Sequence, residues 1–279
     1  MSIGGSLLAA RRSAQRLNVW PERRRLMTLG ASVSPKYFTL FLGNPRSGTT
    51  LIRSLLDANP EITISQELNL VELFAHGERS FDYMCGAILD NAARFGANPV
   101  WNGYPYEVSY EHDTASEILV IGDKKASRTS AIIGEQPELI ARLLKWSPLP
   151  IRFIHCVRAP LDVIATKTRK NGKGLTRNID IYFERESISM QAEQQLQKEQ
   201  FHRIHLEDMI SAPQDSMKAL LAFLGVDGSS EYIEACAAHV FDSPRRSRDA
   251  VEWTEAQKEA VQVGISKIEY LHRYQETRT

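Results

Sequence analysis

The segment Gly43-Asn44-Pro45-Arg46-Ser47-Gly48-Thr49-Thr50 holds the ingredients of an anion site. Before it, Tyr37 to Gly43 (YFTLFLG) reads as a short buried strand. After it, Ser47 to Ala58 reads as a helix with Leu51, Ile52, Leu55 and Leu56 on its apolar face, stopped by Asn59-Pro60. A strand-to-helix turn of this kind aims successive backbone N–H groups and a helix N-terminus at a bound anion. Gly48 allows close approach, Ser47 belongs to the same turn, Thr49 and Thr50 add hydroxyl donors, and Arg46 adds charge. The pattern follows G-x-x-x-x-G-K-[ST], but Thr49 stands where a nucleotide kinase or ATPase carries its lysine. A loop without that lysine suits one 5′-phosphate joined to a second, less charged group.

A second anion site is expected at Arg158, where the run Ile151 to Val157 (IRFIHCV) ends as a strand. The guanidinium fork matches phosphate oxygens, and Thr166, two turns down the helix opened by Pro160, supplies a hydroxyl. Lys170 follows Thr166 at helical spacing and adds a cation to the same face. An Arg158–Asp162 pair is the plain structural alternative. That strand ends in Arg rather than in an acid that would hold Mg2+, which speaks against Mg-nucleotide hydrolysis.

The elements that must carry these residues alternate. Further strands are predicted at Ile118 to Ile121 and Phe201 to Leu206. Helices are predicted at Phe81 to Phe95, Pro137 to Trp146, Ile179 to Gln200, Pro213 to Leu224 and from Thr254 to about Tyr270. This order implies an α/β fold of three layers, a parallel sheet with helices on both faces, of the P-loop nucleotide-binding kind. Lys+Arg and Asp+Glu both number 34, so bulk capture of nucleic acid is not expected. No apolar run reaches bilayer length, so no transmembrane segment is expected. The odd and scattered cysteines, Cys85, Cys156 and Cys236, fit a reducing, cytoplasmic setting and suggest no disulfide framework or metal cluster. Residues 1–34 form a basic arm, either packed on the domain or serving as a targeting segment.

At Pro45 to Glu61, PRSGTTL followed by LLDA-x-P-E, the chain resembles the PAPS-dependent sulfotransferases, and among them the tyrosylprotein sulfotransferases and their bacterial relatives. PAPS is 3′-phosphoadenosine 5′-phosphosulfate. The resemblance spans most of residues 37–271, within a domain expected at 35–279. It implies that Arg46, Ser47, Gly48, Thr49 and Thr50 hold the 5′-phosphosulfate. It also implies that Arg158 and Thr166, in place of the family's Ser, hold the 3′-phosphate, with Lys170 and the cluster Arg245-Arg246 near it. It implies Glu67 as the general base, preceded here by Gln66 where relatives have an acid. Arg46 and Lys124 then stabilise the transferring group, and the doubled Lys124-Lys125 leaves open which lysine does so. Leu206 replaces a nucleotide-contacting Tyr. No metal is expected.

The acceptor would be a small molecule, a glycan or a lipid-linked hydroxyl, bound by an insertion at 74–116. Its aromatics Trp101, Tyr104, Tyr106 and Tyr110 read equally as stacking platform or core. Glu72 and His76 are secondary candidates for the base. Two other readings stand beside the transferase: a P-loop kinase or hydrolase, and a catalytically silent nucleotide-binding protein.

Overall fold

A computed structural model describes residues 20–101, 104–108, 110 and 117–275. Five parallel strands form the central sheet in the order β2-β5-β1-β6-β7. They are β1 (Tyr37–Gly43), β2 (Ile62–Gln66), β5 (Val120–Lys124), β6 (Ile151–Val157) and β7 (Phe201–His205). A separate two-stranded hairpin pairs β3 (Val100–Trp101) with β4 (Tyr104–Pro105). The helices α1 (Trp20–Gly30), α3 (Leu70–Ala75), α4 (Phe81–Gly96), α5 (Ala126–Glu135) and α6 (Leu139–Trp146) contribute to one buried cluster. The helices α2 (Thr49–Asp57), α9 (Leu206–Ser211), α10 (Pro213–Leu224) and α11 (Ser230–His239) contribute to another. A third cluster joins α7 (Pro160–Asn171), α8 (Leu175–Glu193) and α12 (Glu255–Ser266).

Strand periodicity divides the first two clusters. In β1, Phe38, Leu40 and Leu42 join one and Phe41 joins the other, as alternating side chains must. All-parallel pairing buries both faces, which is why YFTLFLG lacks an apolar–polar alternation.

Two differences from the sequence reading bear on the site. The strand expected at 118–121 extends through Gly122-Asp123-Lys124, because β1 pairs with it as far as Asp123 and β2 as far as Lys124. Tertiary pairing outweighs the weak strand preference of those residues. Strand β2, absent from the predicted elements, forms the sheet edge beside β5. At Ile64, its backbone N–H donates to Asp57 Oδ1 at 2.6 Å and its carbonyl accepts from Arg53 Nε at 2.7 Å. Side chains of α2 thus satisfy an edge that would otherwise be open.

The helix predicted over 179–200 runs from Leu175 to Glu193 and gives way to a capped 3-10 turn at Lys198–Gln200. Within 74–116, α4 is a core helix, with Tyr83, Met84, Cys85 and Ile88 buried. Helix α1 lies against α4 so closely that a Cβ on Gly86 would fall 1.8 Å from the Leu26 carbonyl oxygen. Arg23 and Arg25 tie it to Glu78 at 2.5 Å and Asp90 at 2.6 Å. Residues 1–19, which carry the rest of the basic arm, lie outside the described residues.

Candidate active site

The loop from Gly43 to Gly48 leaves the C-terminal end of β1 and feeds α2. Its path needs left-handed backbone at Gly43 (φ 116°), Arg46 (φ 75°) and Gly48 (φ 83°). Glycine adopts this freely, whereas Arg46 carries the strain of a side chain there. At Gly48 a second reason applies, since a Cβ would meet Leu206 Cδ1 at 2.6 Å. Leu206 therefore packs against the loop at Gly48.

Asn44 anchors the loop from below. Its Nδ2 donates to the Tyr182 carbonyl at 3.0 Å and to Glu186 Oε1 at 2.8 Å, both on α8. Glu186 also accepts from Tyr270 Oη at 2.9 Å and lies 3.1 Å from His155 Nε2. Burial raises the Glu186 carboxyl, but His155, Asn44 and Tyr270 together hold it below its ordinary value. Asn44 and Glu186 were not singled out from sequence. Asn44 lay inside the recognised loop, but nothing local marks its partner 142 positions away.

Asn44→Ala leaves the buried Glu186 Oε1 without its donor, while the Tyr182 carbonyl keeps its place in the α8 ladder. The expected loss of stability is about 1–3 kcal/mol. Urea unfolding checks this, and an unchanged midpoint would show that α8 does not hold the loop.

Glu67 sits just past the end of β2, in a tight turn where Glu67 (φ 56°) and Asn69 (φ 67°) are both left-handed. The end of β5 builds this turn. The Lys124 carbonyl accepts from Glu67 N at 3.1 Å, and the buried Asp123 accepts from Leu68 N at 3.1 Å and Leu70 N at 2.9 Å. Ser65 Oγ donates to the same carboxylate at 2.8 Å. Asp123 lies one residue before the end of β5, the strand neighbouring β1, where a Mg2+-binding acid would matter for a kinase, but these three donors occupy it.

The two lysines after Asp123 differ. Lys124 is 1% exposed, and its Nζ lies 3.0 Å from Thr50 Oγ1 and 3.3 Å from Glu67 Oε1. It links the phosphate loop to Glu67. Burial lowers its pKa to about 8, although Glu67 pulls upward. Lys125, partly exposed, donates to Glu67 Oε2. Burial pushes the Glu67 carboxyl up, but Lys124 and Lys125 outweigh it and leave Glu67 below its ordinary value. Of the secondary candidates, Glu72 accepts from Arg128 Nη2 at 2.6 Å, and His76 Nδ1 lies 2.7 Å from the Glu72 carbonyl.

Arg158 closes the other side. It is buried, and its Nη1 donates to the Arg46 carbonyl at 3.3 Å while Nη2 donates to the Arg245 carbonyl. The loop, the end of β6 and the 245 segment therefore meet at one guanidinium. Asp162 pairs with Arg248, whose Nη2 lies 2.7 Å from Oδ2, so the Arg158–Asp162 pair is not formed. Thr166 donates back to the Asp162 carbonyl at 2.8 Å, and Lys170 is exposed near the end of α7. Arg245 and Arg246 are exposed, the latter 3.2 Å from Asp249.

Glu207 and His205 have packing roles. Glu207 accepts from Ala159 N at 2.9 Å and from Tyr274 Oη at 2.6 Å, and His205 Nδ1 lies 2.9 Å from the same Tyr274 Oη. His155 is fully buried in the core. Tyr110 packs against Tyr232, ring centroids 5.2 Å apart, and Trp101 against Phe95 at 6.4 Å.

Beside Glu67 a cavity of about 320 Å³ opens between the loop, the end of β5, α5 and α8. Two buried donor atoms near the loop lack hydrogen-bond partners, Ser47 Oγ and Arg158 Nε. Buried donors left this way suit an anionic ligand.

A family profile described as "Sulfotransferase family" matches residues 40–230. Among solved structures, the sulfotransferase domain of the Synechococcus PCC 7002 olefin synthase is 17% identical with a TM-score of 0.55. The match covers 84% of this chain and 95% of that one. Sulfotransferase STF9 from Mycobacterium avium is 16% identical with a TM-score of 0.52, over 93% of this chain and 80% of that one. Mouse sulfotransferase SULT7A1 complexed with PAP is 13% identical with a TM-score of 0.50, over 90% and 93%. At these identities the structural likeness establishes a shared fold. A comparison with curated proteins gives no match. Among the described residues, no helix is long and apolar enough to cross a membrane.

Proposed function

The chain belongs to the sulfotransferase family, and we propose that it moves a sulfuryl group from PAPS to a hydroxyl of a small-molecule, carbohydrate or lipid-linked acceptor. The observation that carries this reading is Lys124 Nζ, which bridges Thr50 of the phosphate loop at 3.0 Å and Glu67 at 3.3 Å. That contact supports a site in which a cation and a carboxylate act together beside the phosphate loop. The mouse relative was crystallised with PAP, which favours the same donor here.

The orphaned donors Ser47 Oγ and Arg158 Nε suit the anionic ends of this nucleotide. The loop amides of residues 46–50, with the Thr49 and Thr50 hydroxyls, would hold the 5′ end. Arg158, with Thr166, Lys170 and the Arg245-Arg246 segment, would hold the 3′-phosphate. PAPS supplies the sulfuryl group, whose sulfur–oxygen bond to the 5′-phosphate breaks as the acceptor oxygen bonds to sulfur. Glu67 takes the acceptor proton. Lys124 and Arg46 stabilise negative charge on the departing phosphate oxygen and on the sulfuryl oxygens. Transfer of such a group depends on positioning and electrostatics more than on covalent help from the protein.

The test separates PAP from AMP, which lacks the 3′-phosphate. PAP is expected to raise the melting temperature more than AMP at equal concentration. Arg158→Ala should weaken PAP binding about 10–100-fold, the loss of charge-assisted hydrogen bonds to one phosphate. Equal shifts for the two nucleotides, or an unaltered PAP affinity in the variant, would remove the case for a 3′-phosphate pocket at Arg158.

A further inference from the structure

The cavity beside Glu67 carries more positive charge than a sulfuryl donor requires. Lys124, Lys125, Arg128 and Arg185 line it among the described residues, against one acid, Glu67. Three of these cations have close carboxylate partners. Lys124 and Lys125 share Glu67, and Arg128 Nη2 lies 2.6 Å from Glu72 Oε1.

Arg185 differs. The carboxylate nearest it is that of its neighbour Glu184, at 3.7 Å, and Glu184 is itself largely exposed. Its Nε is buried with no hydrogen-bond partner. Burial, with Arg128 nearby, lowers its pKa, although Glu184 and Glu135 oppose the shift. On α7, which packs against α8, Lys167 is 7% exposed and its Nζ also lacks a partner. Burial, then Arg185 and Lys173, push this lysine down.

Cations crowded together with buried, unused donors are costly to fold around, and a bound anion offsets that cost. The proposed donor does not account for them. Its 5′ end has the loop amides, Arg46 and Lys124, and its 3′ end has Arg158. Arg185 stands on a different helix, across the cavity that begins at Glu67.

We propose that the acceptor carries its own anionic group, a carboxylate or a phosphate, which Arg185 and Arg128 bind so that the acceptor's hydroxyl faces Glu67. This deepens the sulfuryl-transfer reading and rests on it. Arg185 supplies a planar fork for such an oxyanion, and Lys167 adds long-range charge behind it.

The experiment uses the full chain saturated with PAP, so that the donor's cations are already occupied. Inorganic phosphate and the matched pair 4-hydroxyphenylacetate and 4-hydroxyphenylacetamide are titrated calorimetrically at fixed ionic strength. The carboxylate is expected to bind about tenfold or more tightly than the amide, the effect of one charge-assisted contact. In Arg185→Gln that preference should fall to about twofold or less, phosphate binding should weaken in parallel, and PAP affinity should be unchanged. Arg185→Lys should retain part of the preference.

Three results would overturn the proposal: equal binding of acid and amide, binding of neither probe, or a preference that survives in Arg185→Gln. A loss of PAP affinity in Arg185→Gln would do so too, because it would place Arg185 at the donor. Failure of the unaltered protein to bind PAP would count against the donor reading instead. The same titration on the free chain would then still decide whether Arg185 holds an anion.

Discussion

Glu67→Gln is expected to cut the rate of sulfuryl transfer by about 10²–10⁴-fold, the usual range for removing a positioned proton acceptor. Gln keeps the shape of the side chain and can still accept a hydrogen bond from Lys124 or Lys125, so the turn at the end of β2 should persist. That turn is held mainly by Asp123, through Leu68 N and Leu70 N, and not by the Glu67 side chain. PAP affinity should therefore stay within a few-fold of the original, and the melting temperature close to it. The loss should appear in kcat, measured with labelled PAPS under saturating donor. Near-normal turnover would move the base elsewhere, and Glu72, tied to Arg128, would be the next residue to change.

Lys124→Met is expected to lower kcat by about 10²–10³-fold, the range seen when one preorganised donor to a developing oxyanion is removed. The fold should tolerate it. Burial depresses Lys124 to about 8 from an ordinary value of 10.5. Its folded form therefore binds a proton less well than its unfolded form. That cost to stability is fully present below pH 8 and fades as pH rises toward 10.5. Methionine removes the cost, so the variant's melting temperature at pH 7 should be unchanged or higher.

The same titration predicts a pH limb in the unaltered enzyme. Free Lys124 loses its proton above about pH 8, so kcat/KM should fall there. A bound anionic donor favours the protonated lysine, so the limb in kcat should lie at higher pH. In Lys124→Met the limb near pH 8 should vanish, and its persistence would assign it to another group.

Much of this site was legible because its signals are local. The strand, the glycine and the hydroxyls from Tyr37 to Thr50 lie next to one another, and their order alone implies a backbone cradle for an anion. Arg158 was legible because it directly follows an apolar run and precedes Pro160. Lys124 was visible as a strand-end cation, and its burial beside Thr50, which favours it over Lys125, was not. Sequence spacing cannot show which of two adjacent lysines turns inward.

Other parts depended on contacts far apart in sequence. ITISQ is short, and it becomes a strand because β5 pairs with it and because Arg53 and Asp57 occupy its open edge. Asp123 is one of three consecutive charged residues in the sequence, yet it is buried and shapes the Glu67 turn. Arg185 lies within a long polar helix whose periodicity gives little warning that one arginine lines a cavity. Glu186, the next residue, is fully buried and anchors the phosphate loop through Asn44. Adjacent positions on one helix thus serve the loop and the cavity, which no local pattern separates.

The most direct measurement follows the label in [35S]PAPS incubated with the full chain and a mixed panel of hydroxyl acceptors, without added Mg2+. The prediction is release of PAP with sulfur-35 on an acceptor oxygen, abolished or nearly so in Glu67→Gln. Retention of the label in PAPS, together with Mg2+-dependent breakdown of ATP by the same preparation, would contradict it.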